Sequence, residues 1–219
     1  MRQFNFEASI DYILTADTGF LETRLNRGRF DAELENSDQI AVTFTDSYEL
    51  VDTPFSPGGG LLVPVGGYSF RDVEVSYNLG QQHRANGRVS LRRGGYYGGD
   101  ITSLDFNRGF IEVTDNLGIE PSVSFNWIDL PQGAVRTDLM RARVNYTFTP
   151  WMFFSVLLQY NASDNVVSSN LRFRWEYSPG SELFVVYTDE RGEDPLRQRR
   201  VRELRNRGFV VKINRLFRI

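Results

Sequence analysis

The chain has 219 residues, a net charge of −3 and a mean hydropathy of −0.36, values that exclude a bundle of membrane helices and give no support to a nucleic-acid partner. Its longest apolar run, Trp151 to Leu158, is far short of the roughly 20 residues that a spanning helix needs. With no cysteine and one histidine, His83, it can hold neither a disulfide nor a zinc centre, so no metal or cofactor is expected.

Apolar and polar residues alternate along nearly the whole chain, and no segment keeps a helical period. The N-terminal segment alternates at once and has no apolar leader, so it does not read as a signal peptide. A first strand is predicted over about Gln3 to Leu14. A second covers about Phe20 to Glu35, with a phase slip at Gly28 that predicts a bulge. The third begins at Ile40 and runs towards Leu50, followed by a loop from Val51 to Gly67. The fourth carries Tyr68, Phe70, Val73, Val75 and Tyr77, the fifth runs over about Gly87 to Tyr96, and the sixth over about Ile101 to Val113.

The second half alternates more cleanly. A seventh strand sets Ile119, Pro121, Val123, Phe125 and Trp127 against Glu120, Ser122, Ser124 and Asn126. The eighth sets Met140, Ala142, Val144, Tyr146 and Phe148 against Arg141, Arg143, Asn145 and Thr147. The ninth carries Met152, Phe154, Val156, Leu158 and Tyr160. The tenth sets Leu171, Phe173, Trp175 and Tyr177 against Asn170, Arg172, Arg174 and Glu176. An eleventh covers about Glu182 to Thr188, and a charged loop, Asp189 to Arg205, leads to the last. In that final strand Phe209, Val211, Ile213, Phe217 and Ile219 share one face with Arg215.

These are about twelve strands of roughly 9–13 residues, the length that lets a tilted strand cross a bilayer. Short turns near Asn36, Asp115, Pro150 and Pro179 alternate with longer loops near Gly58, Gly94, Pro131, Asp164 and Glu193; the connection around His83 is the exception. Aromatic residues collect at strand ends, where interface girdles would sit. The pattern predicts an all-β fold, an antiparallel up-and-down transmembrane β-barrel, with residues 1–219 as one domain or as the C-terminal part of a larger barrel.

The polar faces carry Glu7, Asp11, Glu22, Arg24, Glu120, Arg141, Arg143, Arg172, Arg174 and Glu176. Inside a barrel these would line a lumen that selects a polar solute, or pair into a salt-bridged plug. His83 could serve as a base, yet no nucleophile motif accompanies it, so catalysis is not expected. The acidic run within Asp189 to Asp194 lacks calcium-loop spacing and reads as a solvated loop.

Several stretches carry a family resemblance. They are Ser122-Val-Ser-Phe-Asn-Trp-Ile-Asp-Leu-Pro131, Tyr146-Thr-Phe-Thr-Pro-Trp-Met-Phe-Phe-Ser155, Gln159-Tyr-Asn161, the run Asn170 to Tyr187, and Phe209 to Arg218. Upstream, Tyr68-Ser-Phe70 and Gly94-Gly-Tyr-Tyr-Gly-Gly-Asp100 fit the same pattern. Together they resemble the C-terminal region of the DUF5916 family. The resemblance implies an outer-membrane β-barrel in a Gram-negative bacterium, with outer-membrane lipid and the barrel-assembly machinery as partners. Family members typically carry an N-terminal carbohydrate-binding-like β-sandwich; no residue here corresponds to it, so no sugar-binding residue is carried over. The expected function is a porin-like channel or a structural, anchoring barrel, with a fragment of a larger barrel protein as the alternative and a membrane hydrolase using His83 as the third.

Overall fold

In a computed structural model the chain is all-β, and the structure describes residues 1–192 and 203–217. The strands are β1 (Gln3–Leu14), β2 (Leu21–Glu33), β3 (Gln39–Val51), β4 (Phe55–Gly58), β5 (Leu61–Val63), β6 (Gly66–Leu79), β7 (Ala85–Tyr96), β8 (Gly99–Thr114), β9 (Leu117–Leu130), β10 (Gly133–Thr149), β11 (Met152–Asn161), β12 (Val166–Ser178), β13 (Ser181–Gly192) and β14 (Glu203–Asn214). Twelve of them form one sheet in sequence order, interrupted only by the separate two-stranded hairpin β4–β5. Pairing is antiparallel from β1 through β2, β3 and β6 to β7, from β10 through β11, β12 and β13 to β14, and within the hairpin β4–β5. β1 and β14 stand at the ends of the strand order.

The chain divides into two compact units. Unit 1 is Met1–Asn107 with Ser124–Asp138; unit 2 is Arg108–Val123 with Leu139–Ile219. In unit 1 the strict alternation of β1, β2, β3, β6 and β7 puts successive side chains on opposite faces. One face is apolar near the turns at Asn36 and Gly80: Phe6, Phe30, Val42, Val75 and Leu91 are cross-strand partners in one continuous row. All five are exposed, Phe6 by 81%. Towards the other strand ends the same face turns polar, with Asn26, Asp46 and Arg71 in one row. Arg71 and Arg24 both pair with Asp46, at 2.8 and 3.5 Å.

Unit 2 repeats this division. Phe154, Phe173, Val185 and Val211 form one row of its apolar face, and Val156, Leu171, Tyr187 and Phe209 the next. Further along, the row Asp189–Arg207 is charged, and Asp189 binds Arg191 at 2.7 Å and Arg207 at 3.1 Å. Aromatic rings crowd the opposite end, where Tyr146 meets Phe148 and Trp175 meets Tyr177.

A closed hydrophobic cluster exists in unit 1 only, among the described residues. Val63, Ile101, Ile128 and Leu130 are its buried members, with Phe55, Leu61, Tyr68, Tyr96, Tyr97 and Val135 packed around them. The hairpin β4–β5 therefore folds down onto the sheet. Tyr97 sits between the rings of Phe55, Tyr68, Phe70 and Tyr96 and donates to Glu49 at 2.6 Å. Burial, then the Glu49 carboxylate, raises its pKa above the usual tyrosine value.

Several expectations are corrected. The predicted loop Val51–Gly67 contains a hairpin. No bulge occurs at Gly28, because β2 pairs with β3 without a shift from Thr23 to Glu33; the irregularity lies at the other end, opposite Ile13 and Leu14. The connection around His83 shrinks to residues 80–84, since β6 and β7 both run further than predicted. Asp189 and Glu190 belong to β13, so the charged loop starts later. The last strand stops at Asn214 instead of continuing to the terminus; Arg215 stacks on the Phe217 ring beyond it, and the Leu216 N–H donates to Ser181. Ile219 and the loop around Glu193 lie outside the described residues.

Candidate functional site

The polar face of unit 1 is organised in rows. Glu7, Arg29, Thr43, Glu74 and Arg92 are successive partners across β1, β2, β3, β6 and β7. The row above contains Arg27, Thr45 and Asp72, and the row below Asn5, Asp31, Ala41, Ser76 and Ser90. Cross-strand neighbours on one face lie close enough for opposite charges to pair. They do so here. Arg29 donates to Asp31 at 3.1 Å, and Asn5 donates to the other Asp31 oxygen at 2.9 Å. Arg88 pairs with Glu74, and Arg92 lies 3.7 Å from Asp72. The Nε atoms of Arg88 and Arg92 are buried without a hydrogen-bond partner, so the network is crowded but not fully satisfied. A groove of about 480 Å³ runs through it, lined by Glu7, Arg27, Arg29, Asp72, Glu74 and Arg92 among others.

The polar face of unit 2 is built differently. Asn145, Ser155, Arg172, Val186 and Val210 form one row; Thr147, Phe153, Arg174, Phe184 and Lys212 form the next. Apolar side chains thus sit between the cations. Arg174 pairs with Glu182, and its guanidinium lies 5.8 Å from the Phe153 ring centre and 5.7 Å from that of Phe184. Glu120 accepts from Asn145 at 2.7 Å and from Arg143 at 3.4 Å. Arg172 donates through Nε to Asn170 at 2.8 Å. Neither Arg172 nor Arg141 meets a carboxylate among the described residues. The groove here encloses about 440 Å³.

Most of the residues expected from the sequence gather on these two faces. Glu7 and Asp11 lie on the unit 1 polar face, Asp11 opposite Leu25. Glu120, Arg141, Arg143, Arg172 and Arg174 lie on that of unit 2. Glu176 faces Glu182 across the strands and accepts the Gly180 N–H at 3.0 Å, a turn-closing role. Glu22 and Arg24 are not with them. Arg24 is the partner of Tyr12 and Tyr48 and shares the face of Phe30 and Phe44. Glu22 is skipped by the pairing at the register shift and is exposed. Without a bulge at Gly28, the sequence phase assigned to these two residues is reversed; Arg27 and Arg29 take the polar face instead. Phe209, Val211 and Ile213 do share the apolar face, against Tyr187, Val185 and Leu183.

His83 belongs to a separate constellation at the turns of unit 1. Asp38 is almost completely enclosed, yet accepts from the Gly80 N–H at 2.8 Å, Tyr77 at 2.7 Å, Asn36 at 2.7 Å and Gln82 at 3.1 Å. His83 Nε2 lies 3.1 Å away. The Gly80 amide above all, then Tyr77, holds the Asp38 carboxyl down to about 2 from its ordinary 3.8. This arrangement ties residues 36–38 to residues 80–83. No hydroxyl is hydrogen-bonded to His83 among the described residues.

No family model matches the chain, and no curated protein matches it in sequence.

Proposed function

We propose that this chain is an integral β-barrel of the bacterial outer membrane, of the kind the DUF5916 resemblance implies, and that its polar faces line a narrow, charged passage. One observation carries this reading. In unit 1 the apolar face is exposed along a continuous cross-strand row, in unit 2 the corresponding rows are half-buried and become exposed at Val211 and Phe209, and in both the face then gives way to ion pairs at the loop end. Exposed apolar patches of more than a few hundred Å² are rare on water-soluble monomers. A lipid-facing band topped by a polar skirt has this form. Exposed aromatic residues at the turn end of unit 2, including Trp151 and Trp175, suit an interface girdle. Closing the sheet would also leave no edge strand unpaired, which an outer-membrane barrel requires.

The hairpin β4–β5 favours a restricted passage over a wide pore, because it covers part of the polar face of unit 1 with a packed apolar cluster. The test is refolding into lipid vesicles followed by single-channel recording. Insertion with small, steady conductance is the expected result. Insertion without conductance would leave the anchoring, plugged barrel. Failure to insert, with a soluble folded chain, would end the membrane reading.

A further inference from the structure

We propose that the polar face of unit 2 holds a binding site for an amphipathic anion, a carboxylate carried on an apolar chain. This names the solute class for the passage proposed above and rests on that reading for its role in transport.

Charge is the first argument. In unit 1 Arg29, Arg88 and Arg92 each meet an acid, Asp31, Glu74 and Asp72, and Arg27 shares its row with Asp72, so little positive charge is left for a ligand. In unit 2, among the described residues, the Arg172 guanidinium is held only by Asn170, through Nε. Its terminal nitrogens face no carboxylate among the described residues. A guanidinium oriented through Nε presents its remaining N–H groups as a planar fork that suits a carboxylate.

The second argument is the floor. Ser155 and Val186 flank Arg172 in its row; Phe153 and Phe184 flank Arg174 in the next; Leu157 adjoins Asn170. A small inorganic anion would leave these side chains in contact with water and gain nothing from them. A neutral, apolar solute would leave Arg172 unpaired and desolvated, which is unfavourable. A solute with an anionic head and an apolar tail satisfies both. The groove volume of about 440 Å³ falls in the range typical of small-molecule sites. Arg174 is already tied to Glu182 and stacked on two rings, so it shapes the wall while Arg172 takes the head group.

The test is calorimetric titration of the full chain in lipid nanodiscs, with empty nanodiscs subtracted, using octanoate, octanol and acetate as probes. Octanoate is expected to bind saturably, and octanol and acetate at least about tenfold more weakly. Arg172→Gln should weaken octanoate about tenfold, equivalent to about 1.4 kcal/mol, and leave octanol unchanged. Arg172→Lys, which keeps the charge but loses the fork, should fall between. Equal binding of octanoate and octanol, or full octanoate affinity in Arg172→Gln, would overturn the proposal. Binding needs no conductance. A chain that binds octanoate but does not conduct keeps the site and loses the passage; one that conducts without binding keeps the passage and loses the site.

Discussion

The two polar faces start from similar ingredients, arginines and carboxylates on alternating strands, and end as different surfaces. In unit 1 the acids and bases fall in the same or adjacent rows, and every buried hydrophobic residue of the described chain belongs to this unit. In unit 2 the rows interleave cations with Phe153, Leu157, Phe184 and Val186, and Ser181 is its one buried polar residue among those described. The difference teaches that charge content alone does not define a lumen. What matters is whether the neighbour across the ladder, about 5 Å away, is an opposite charge or an apolar side chain.

The sharpest way to break this comparison is at the cluster beneath the hairpin. Val63 is 1% exposed, and Val63→Asp buries an unpaired carboxylate. It should cost about 3 kcal/mol or more in urea unfolding followed by tryptophan fluorescence. Val186→Asp, on the open face beside Arg172, should cost about 1 kcal/mol or less. Equal losses would show that the two faces are packed alike.

Glycines give the next contrast. A Cβ on Gly94 would stand 2.2 Å from the Arg71 carbonyl oxygen and 2.4 Å from the Asp72 Cα, so Gly94→Ala must push β6 and β7 apart. We expect a loss of about 2 kcal/mol. Gly208 on β14 has open space around the same added atom, and Gly208→Ala should be neutral or stabilising by about 0.5 kcal/mol, read as the shift in urea midpoint.

Smaller effects separate the ion pairs. Arg29→Ala removes the partner of Asp31 in a partly buried pair and should cost about 1 kcal/mol. Arg172→Ala loses one bond to Asn170 on an exposed side chain and should stay within about 0.5 kcal/mol. A larger loss at Arg172 than at Arg29 would mean that unit 2 depends on its cations for stability, contrary to their proposed freedom to take a ligand.

The gentlest probe is pH. The Asp38 carboxyl titrates lower in the folded chain than its ordinary 3.8, at about 2, so the folded state binds the proton less readily. Its contribution is complete above 3.8 and is lost as pH falls towards 2. Amide exchange at Gly80, normalised for the intrinsic rate, should lose protection over that window. Asp38→Asn should remove the dependence.

Much of the fold was legible because alternation is a local property. The twelve strands of the main sheet and the sharing of one face by Phe209, Val211 and Ile213 follow from side chains spaced two apart. The hairpin had a fainter signal: Phe55 and Leu61–Val63 flank Gly58-Gly-Gly60, a short hairpin pattern within the presumed loop. Another signal was the polar phase of β9, which passes from Glu120, Ser122, Ser124 and Asn126 to Ile128 and Leu130, where the hairpin packs. Arg24 was misplaced because a face change in apolar residues looks the same whether a strand bulges or simply turns polar near its end.

By itself, then, the sequence determined the strands and the two-faced character of each. Tertiary structure alone decided which charges meet, that Arg172 meets no acid among the described residues, and that β4–β5 covers part of unit 1's polar face. Alternation is written in adjacent residues, but an ion pair depends on the register between strands and a cover depends on where a loop packs. Both bring together residues far apart in the chain, such as Val63 and Ile128.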